Sequence, residues 1–142
     1  MANMTITGIS ESCGGFERLA NATPAALQEM MQAYSDVALE KVKSHAASDL
    51  NGPYAQGIVE SSAFVDGISV GGNGATAYIN FKGVRKRKKS STRHAEIAFL
   101  NEYGWGSKAG RQFIKNALDD AEDPAAEAAE QVLDNYLAQF GF

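Results

Sequence analysis

From Thr23 onward the apolar positions fall three and four apart: Leu27, Met30, Met31, Tyr34, Val37, Ala38 and Val42. This is the period of one helical face, and it predicts a long amphipathic helix over 23–49. Thr23-Pro24 suits its start. Threonine can cap free backbone N–H groups, and proline at the first helical position gives up an N–H that has no partner there. Asn51-Gly52-Pro53 is a turn signal that ends it. The two methionines and Tyr34 read as core packing.

Beyond residue 58 the period changes. Ile58, Val59, Phe64, Val65, Ile68 and Val70 are β-formers with partial alternation. Gly71-Gly-Asn-Gly74 then supplies a tight reversal, and Ala75, Ala77, Ile79 and Phe81 alternate with Thr76, Tyr78 and Asn80. This predicts a β-hairpin. Residues 83–93 are polar, basic and aperiodic, hence a projecting loop. His94–Gly104 is ambiguous: Ala95, Ile97 and Phe99 alternate as in a strand, whereas Ala98 and Glu102 stand a helical turn apart. A glycine-rich connector, 104–110, precedes two apolar helical stripes, one over Phe113–Ala121 and one over Ala129–Phe140. Asp123-Pro124 reads as the capped start of the second.

The expected order is helix, hairpin, basic loop, third strand and paired C-terminal helices. That is an α+β fold: a long N-terminal helix and paired C-terminal helices packed on a small antiparallel sheet with a projecting basic hairpin loop. A single domain is expected over 1–142, with an arm at 1–22 (one short strand or helical turn), a long helix at 23–49, a sheet region at 58–103 and C-terminal helices at 109–140. The length of 142 residues suits one domain.

Charge adds polarity to this outline. The net charge is −4, yet seven of the thirteen Lys and Arg residues lie between Lys82 and Arg93. No base follows Lys115, while seven acids fall between Asp119 and Asp134. One basic and one acidic region suit head-to-tail association or stacking on a charged partner. Arg85, Lys86, Arg87, Lys88, Lys89 and Arg93 repel one another and admit three readings: a solvated loop, a contact with an acidic protein surface, or a contact with nucleic-acid phosphates. No aromatic residue interrupts the run to stack on single-stranded bases.

Candidate chemistry is sparse. The chain has no GxSxG, HExxH, Walker A or dinucleotide GxGxxG motif, and Cys13 is its only cysteine. Gly71–Gly74 lacks the following Lys-Ser/Thr of a phosphate cradle. His94 with Glu96 and Glu102 reads as a polar face in preference to a metal or acid–base cluster. The expectation is no enzyme, no cofactor and no metal. No stretch is long and apolar enough for a membrane span, and the N-terminus lacks the pattern of a signal peptide, so synthesis and use in the cytoplasm are expected.

One block carries a resemblance. In residues 94–123 an Ala-containing apolar segment ends in Glu102-Tyr103-Gly104, a short loop follows, and a helix begins at Arg111-Gln112-Phe113-Ile114. This is similar to the tail-completion or head–tail joining proteins of long-tailed bacteriophages, which are phage morphogenesis or minor tail proteins. Ile6-Thr-Gly8 followed by a helix is similar to their N-terminal pattern, and residues 41–61 match loosely. Gln112 stands where the pattern has proline, Gly52-Pro53-Tyr54 lacks its Pro-x-Thr-Gly turn, and the basic loop is longer than usual.

The resemblance implies a non-catalytic structural virion protein at the phage neck. It would form a homo-oligomeric ring, a hexamer by analogy with tail symmetry, between the head-side connector or head-closure protein and the tail terminator or tail tube. Genomic DNA would pass through its channel, touched non-specifically by the basic loop, and the protein would reside in the host cytoplasm during assembly. Glu102, Tyr103, Trp105, Arg111 and Phe113 become candidate interface residues, with burial inside the monomer an equal alternative for Trp105. The rival reading is a small nucleic-acid-binding protein acting through residues 85–93, against which the overall acidity stands.

Overall fold

A computed structural model describes residues 2–7, 23–50, 55, 57–71 and 74–139. The fold is α+β: one long helix lies against a three-stranded antiparallel sheet, and a second long helix packs along the first instead of on the sheet. Strand β1 (Ala2–Thr7) is followed by α1 (Thr23–Asp49), a short α2 (Ile58–Ser62), β2 (Ala63–Gly71) and β3 (Gly74–Phe81). A small hairpin, β4 (Val84–Lys86) and β5 (Ser91–Arg93), leads into α3 (His94–Tyr103). A second small hairpin, β6 (Gly104–Trp105) and β7 (Lys108–Ala109), leads into α4 (Phe113–Gln139).

Helix α1 has the predicted bounds. Leu27, Met30, Met31, Ala38 and Val42 of its apolar stripe are buried, and Tyr34 and Val37 are half-buried. It packs antiparallel to α4, because Arg111 reaches Asp49, His45 reaches Asp120, and Tyr136 reaches Glu29. In β3 the predicted alternation holds: Ala75, Ala77, Ile79 and Phe81 are buried, and Tyr78 faces out. With Ile97 and Ala98 of α3 and Phe113, Ile114 and Ala117 of α4 they form one core. Phe81 and Phe113 meet edge to face with ring centroids 6.4 Å apart.

Four expectations need correction. The third strand of the sheet is not 94–103 but the start of the arm, since β1 pairs with β3 and the order is β1-β3-β2. Residues 94–103 are helical. Ile97, Ala98, Asn101 and Glu102 then point inward together, so the core contact uses helical spacing and not alternation. Ile58 and Val59 belong to a helical turn before β2, where Val59 is fully buried. The C-terminal helices are one, with Pro124 inside it. Proline there removes one backbone bond, but Ala117, Ala121, Ala125 and Ala129 keep a buried seam on both sides of it. The turns at 51–54 and 72–73, the rest of the arm (8–22, with Cys13) and Phe140 lie outside the described residues. Among the described residues no helix is long and apolar enough to cross a membrane.

The partial alternation of β2 has a local cause. Val65 pairs with Ile79 and Gly67 with Tyr78, so Asp66 is an extra residue. This bulge changes the phase: Val65 leans on the core before it, and Ile68 and Val70 do so after it. Asn80 Nδ2 donates to Asp66 Oδ2 at 3.3 Å across the bulge.

Candidate interaction surface

The basic stretch is a short hairpin. Val84 pairs with Arg93 and Lys86 with Ser91, and Arg87 N donates to Ser90 O at 2.8 Å to close the tip. Lys86, Arg87, Lys88 and Lys89 are exposed, whereas Arg85 is half-buried beside Thr92. Arg93 pairs with Glu96 at 3.1 Å, an exposed pair of little energetic weight. At the base of the hairpin His94 N donates to Gly83 O, and His94 Nδ1 lies 2.9 Å from Lys82 O. His94 therefore fastens the hairpin to α3, and its imagined cluster with Glu96 and Glu102 does not form.

Glu102 is 5% exposed and closes the joint between α3 and α4. Its carboxylate accepts Ile114 N–H at 2.7 Å and Lys115 N–H at 3.1 Å, two donors of the first turn of α4 that the helix cannot satisfy. A carboxylate also suits the positive end of the helix dipole. Gln112, the residue before the helix, has φ +51. Proline, locked near −65°, could not adopt that angle, so the departure at this position matches the backbone. Arg111 Nη1 donates to the Asp49 carbonyl at 3.0 Å, tying the joint to the end of α1.

Of the predicted interface residues, Glu102 and Phe113 are buried in the chain's own fold, and Arg111 is exposed but tied to α1. Tyr103 and Trp105 face outward, at 66% and 46% exposure. Lys108 Nζ stands 5.2 Å from the Trp105 ring centroid. Tyr103 stacks at a tilt on Phe99, centroids 4.8 Å apart. With Leu100 they form an exposed apolar face on α3, of which the sequence points to Tyr103 but not to Phe99 or Leu100. Helical spacing of Phe99 and Tyr103 is its only trace in the sequence. This face borders a groove of about 950 Å³, whose other walls are Ile114 and Leu118 of α4 and Thr92 at the base of the basic hairpin.

A contrasting surface runs along α4. Asp123, Glu127, Glu130 and Asp134 are all exposed, and their spacing of four, three and four places them on one face. That face lies opposite the buried Ala121, Ala125 and Ala129. Among the described residues no group of three or more His, Cys, Asp or Glu could hold a metal ion.

His45 clasps the two long helices. Its Nδ1 lies 2.9 Å from Asp49 Oδ2 and its Nε2 2.6 Å from Asp120 Oδ2. Both nitrogens face carboxylates, so both must donate, and only the imidazolium can do that. The hydrogen bond to Asp49 raises the His45 pKa above its ordinary 6.5, the Asp120 bond adds to this, and partial burial opposes it. The same bond lowers the pKa of Asp49 below 3.8, with help from Ser48 and Arg111. A raised histidine stabilises the fold fully below its unfolded value and loses that contribution as pH rises through its folded value. The lowered aspartate does the reverse at acid pH. The clasp is thus strongest between about pH 4 and 6.5. The melting temperature of the wild type should exceed that of His45→Gln most near pH 6, and the gap should narrow as pH rises above the ordinary histidine range. Parallel melting profiles of the two proteins would refute the clasp.

Against protein-family models, curated proteins and solved structures, the chain shows no match.

Proposed function

We propose that the chain is a structural subunit of the neck of a long-tailed phage particle, forming a ring that joins the head-side connector to the tail around the DNA channel. The observation that carries this reading is the separation of two complementary surfaces. An open aromatic groove with a basic hairpin lies at one end of α4, and an exposed acidic ridge runs toward the other. Such a chain can contact a neighbour head to tail, the contact type that generates rings. The Glu102-Tyr103-Gly104 and Arg111–Ile114 block, which resembles the head–tail joining proteins, builds the joint under the groove. His45, His94 and Glu102 are each engaged in structural bonds, which favours an interaction protein over a catalyst.

The test acts on the hairpin tip. Replacing Lys86, Arg87, Lys88 and Lys89 together by Ser should leave the melting temperature within about 2 °C, since exposed charges add little to stability. Infectious particle yield, measured by complementation, should fall at least about tenfold if the hairpin sits at a particle interface or in the channel. An unchanged yield would overturn the proposal. If the purified wild type instead binds DNA with a steep salt slope, the hairpin acts as a nucleic-acid contact in its own right.

A further inference from the structure

We infer that the groove between α3 and α4 is filled by the C-terminal end of α4 from a second copy of this chain. The inference rests on the self-association in the proposed function and names its contact. The groove has apolar walls, Phe99, Tyr103, Ile114 and Leu118, charges of both signs at its edges (Arg93 and Lys115, Glu96 and Asp119), and the base of the basic hairpin at its side. Its occupant should be apolar at the tip, and acidic only where it passes the exposed Lys86–Lys89 beyond the groove.

The far end of α4 has both properties. Leu133 and Leu137 are half-buried beside the exposed ridge of Asp123, Glu127, Glu130 and Asp134, and the sequence continues past Gln139 as Phe140-Gly141-Phe142. Seated in the groove, this tip would bury aromatic surface while its ridge approaches Lys86–Lys89. Opposite charges flanking an apolar contact fix its direction.

The helical part of this tip, up to Gln139, cannot reach the groove of its own copy. Leu118, in the groove wall, lies 21 residues before Gln139. At 1.5 Å per residue the helix carries Leu133 about 22 Å and Gln139 about 32 Å away, so these residues cannot fold back into their own groove. The other segment long enough to consider, 8–22, leaves from Thr7 and enters at Thr23. Thr7 pairs with Gly74, about 20 Å along β3 from the Asn80–Phe81 end that lines the groove. Thr23 begins α1 at the end that packs near Tyr136. Both its attachments thus lie about 20 Å or more from the groove.

Sedimentation velocity of the full chain, from about 10 µM to about 1 mM, tests the contact. The wild type should associate increasingly with concentration, and about 0.5 M salt should weaken the association. A groove variant, Phe99→Glu with Tyr103→Glu, should be monomeric, as should a tip variant, Leu137→Glu with Phe140→Glu. Mixed one to one, the two variants should form a heterodimer and nothing larger, because only one intact groove and one intact tip remain. Circular dichroism must show each variant folded. If a variant is not, Tyr103→Glu alone (66% exposed) takes the groove arm and Phe140→Glu alone the tip arm. Wild type that stays monomeric throughout overturns the inference, as does a folded variant that associates normally or a mixture that yields no heterodimer. None of these outcomes removes the neck assignment, which the particle-yield test decides separately.

Discussion

Replacement of Glu102 by alanine should lower the melting temperature by about 10 °C and cost about 3 kcal/mol of stability. The carboxylate is buried and holds Ile114 N–H and Lys115 N–H at the start of a 27-residue helix. Losing a cap costs about 0.5–2 kcal/mol when water can take over. Here the Ile114 N–H is buried and the Lys115 N–H part-buried, so water replaces the carboxylate poorly at the first and only partly at the second, at about 1–3 kcal/mol for a donor left wholly unsatisfied. Partial relaxation of the helix start brings the sum down to the stated figure. Glu102→Gln keeps one acceptor but turns an NH₂ toward the second donor, so it should fall between wild type and alanine. A thermal melt of the three proteins checks the order. An alanine variant within about 2 °C of wild type would show that the cap is dispensable.

The same joint shows what the sequence makes legible and what it hides. Helix α1 and strand β3 each bury one face along their whole length, so period alone identifies them. Strand β2 hides its register because the extra residue Asp66 breaks the parity between Val65 and Ile68. Residues 94–103 are ambiguous because Ala95, Ile97 and Phe99 alternate by chance while the buried set Ile97, Ala98 and Glu102 follows the helix. Asp123-Pro124 imitates a helix start that the buried alanine seam of α4 overrides. The charged surfaces are visible as runs of one sign. The groove is not, since its walls come from α3, α4 and the strand before them and meet only through tertiary packing. The clasp is half legible: His45 and Asp49 stand one turn apart, but Asp120 lies 75 residues from the histidine.

Glycine decides whether that joint can close, and Gly104→Ala should cost about 3 kcal/mol, with a melting temperature lower by about 10 °C. At Gly104 φ is +88, and an added Cβ would collide with the Lys108 carbonyl oxygen and the Gly110 nitrogen. At Gly110 it would collide with the Glu102 carbonyl oxygen and the Tyr103 carbonyl carbon. These are backbone atoms and cannot swing aside as a side chain would. The chain needs this approach because Arg111 N donates to Asn101 O at 2.7 Å and Gln112 N to Glu102 O at 3.2 Å, which brings Glu102 under the first turn of α4. Gly106 separates the two costs. It has φ +56 but open space around its missing Cβ, so Gly106→Ala should lose only the left-handed penalty of about 1 kcal/mol. Gly110→Ala carries the collision without a positive φ and should fall near Gly104→Ala. Equal, small losses at all three positions would mean that the 104–110 hairpin can move away from the end of α3. In that case Glu102 would cap α4 without the close backbone approach that the two glycines permit.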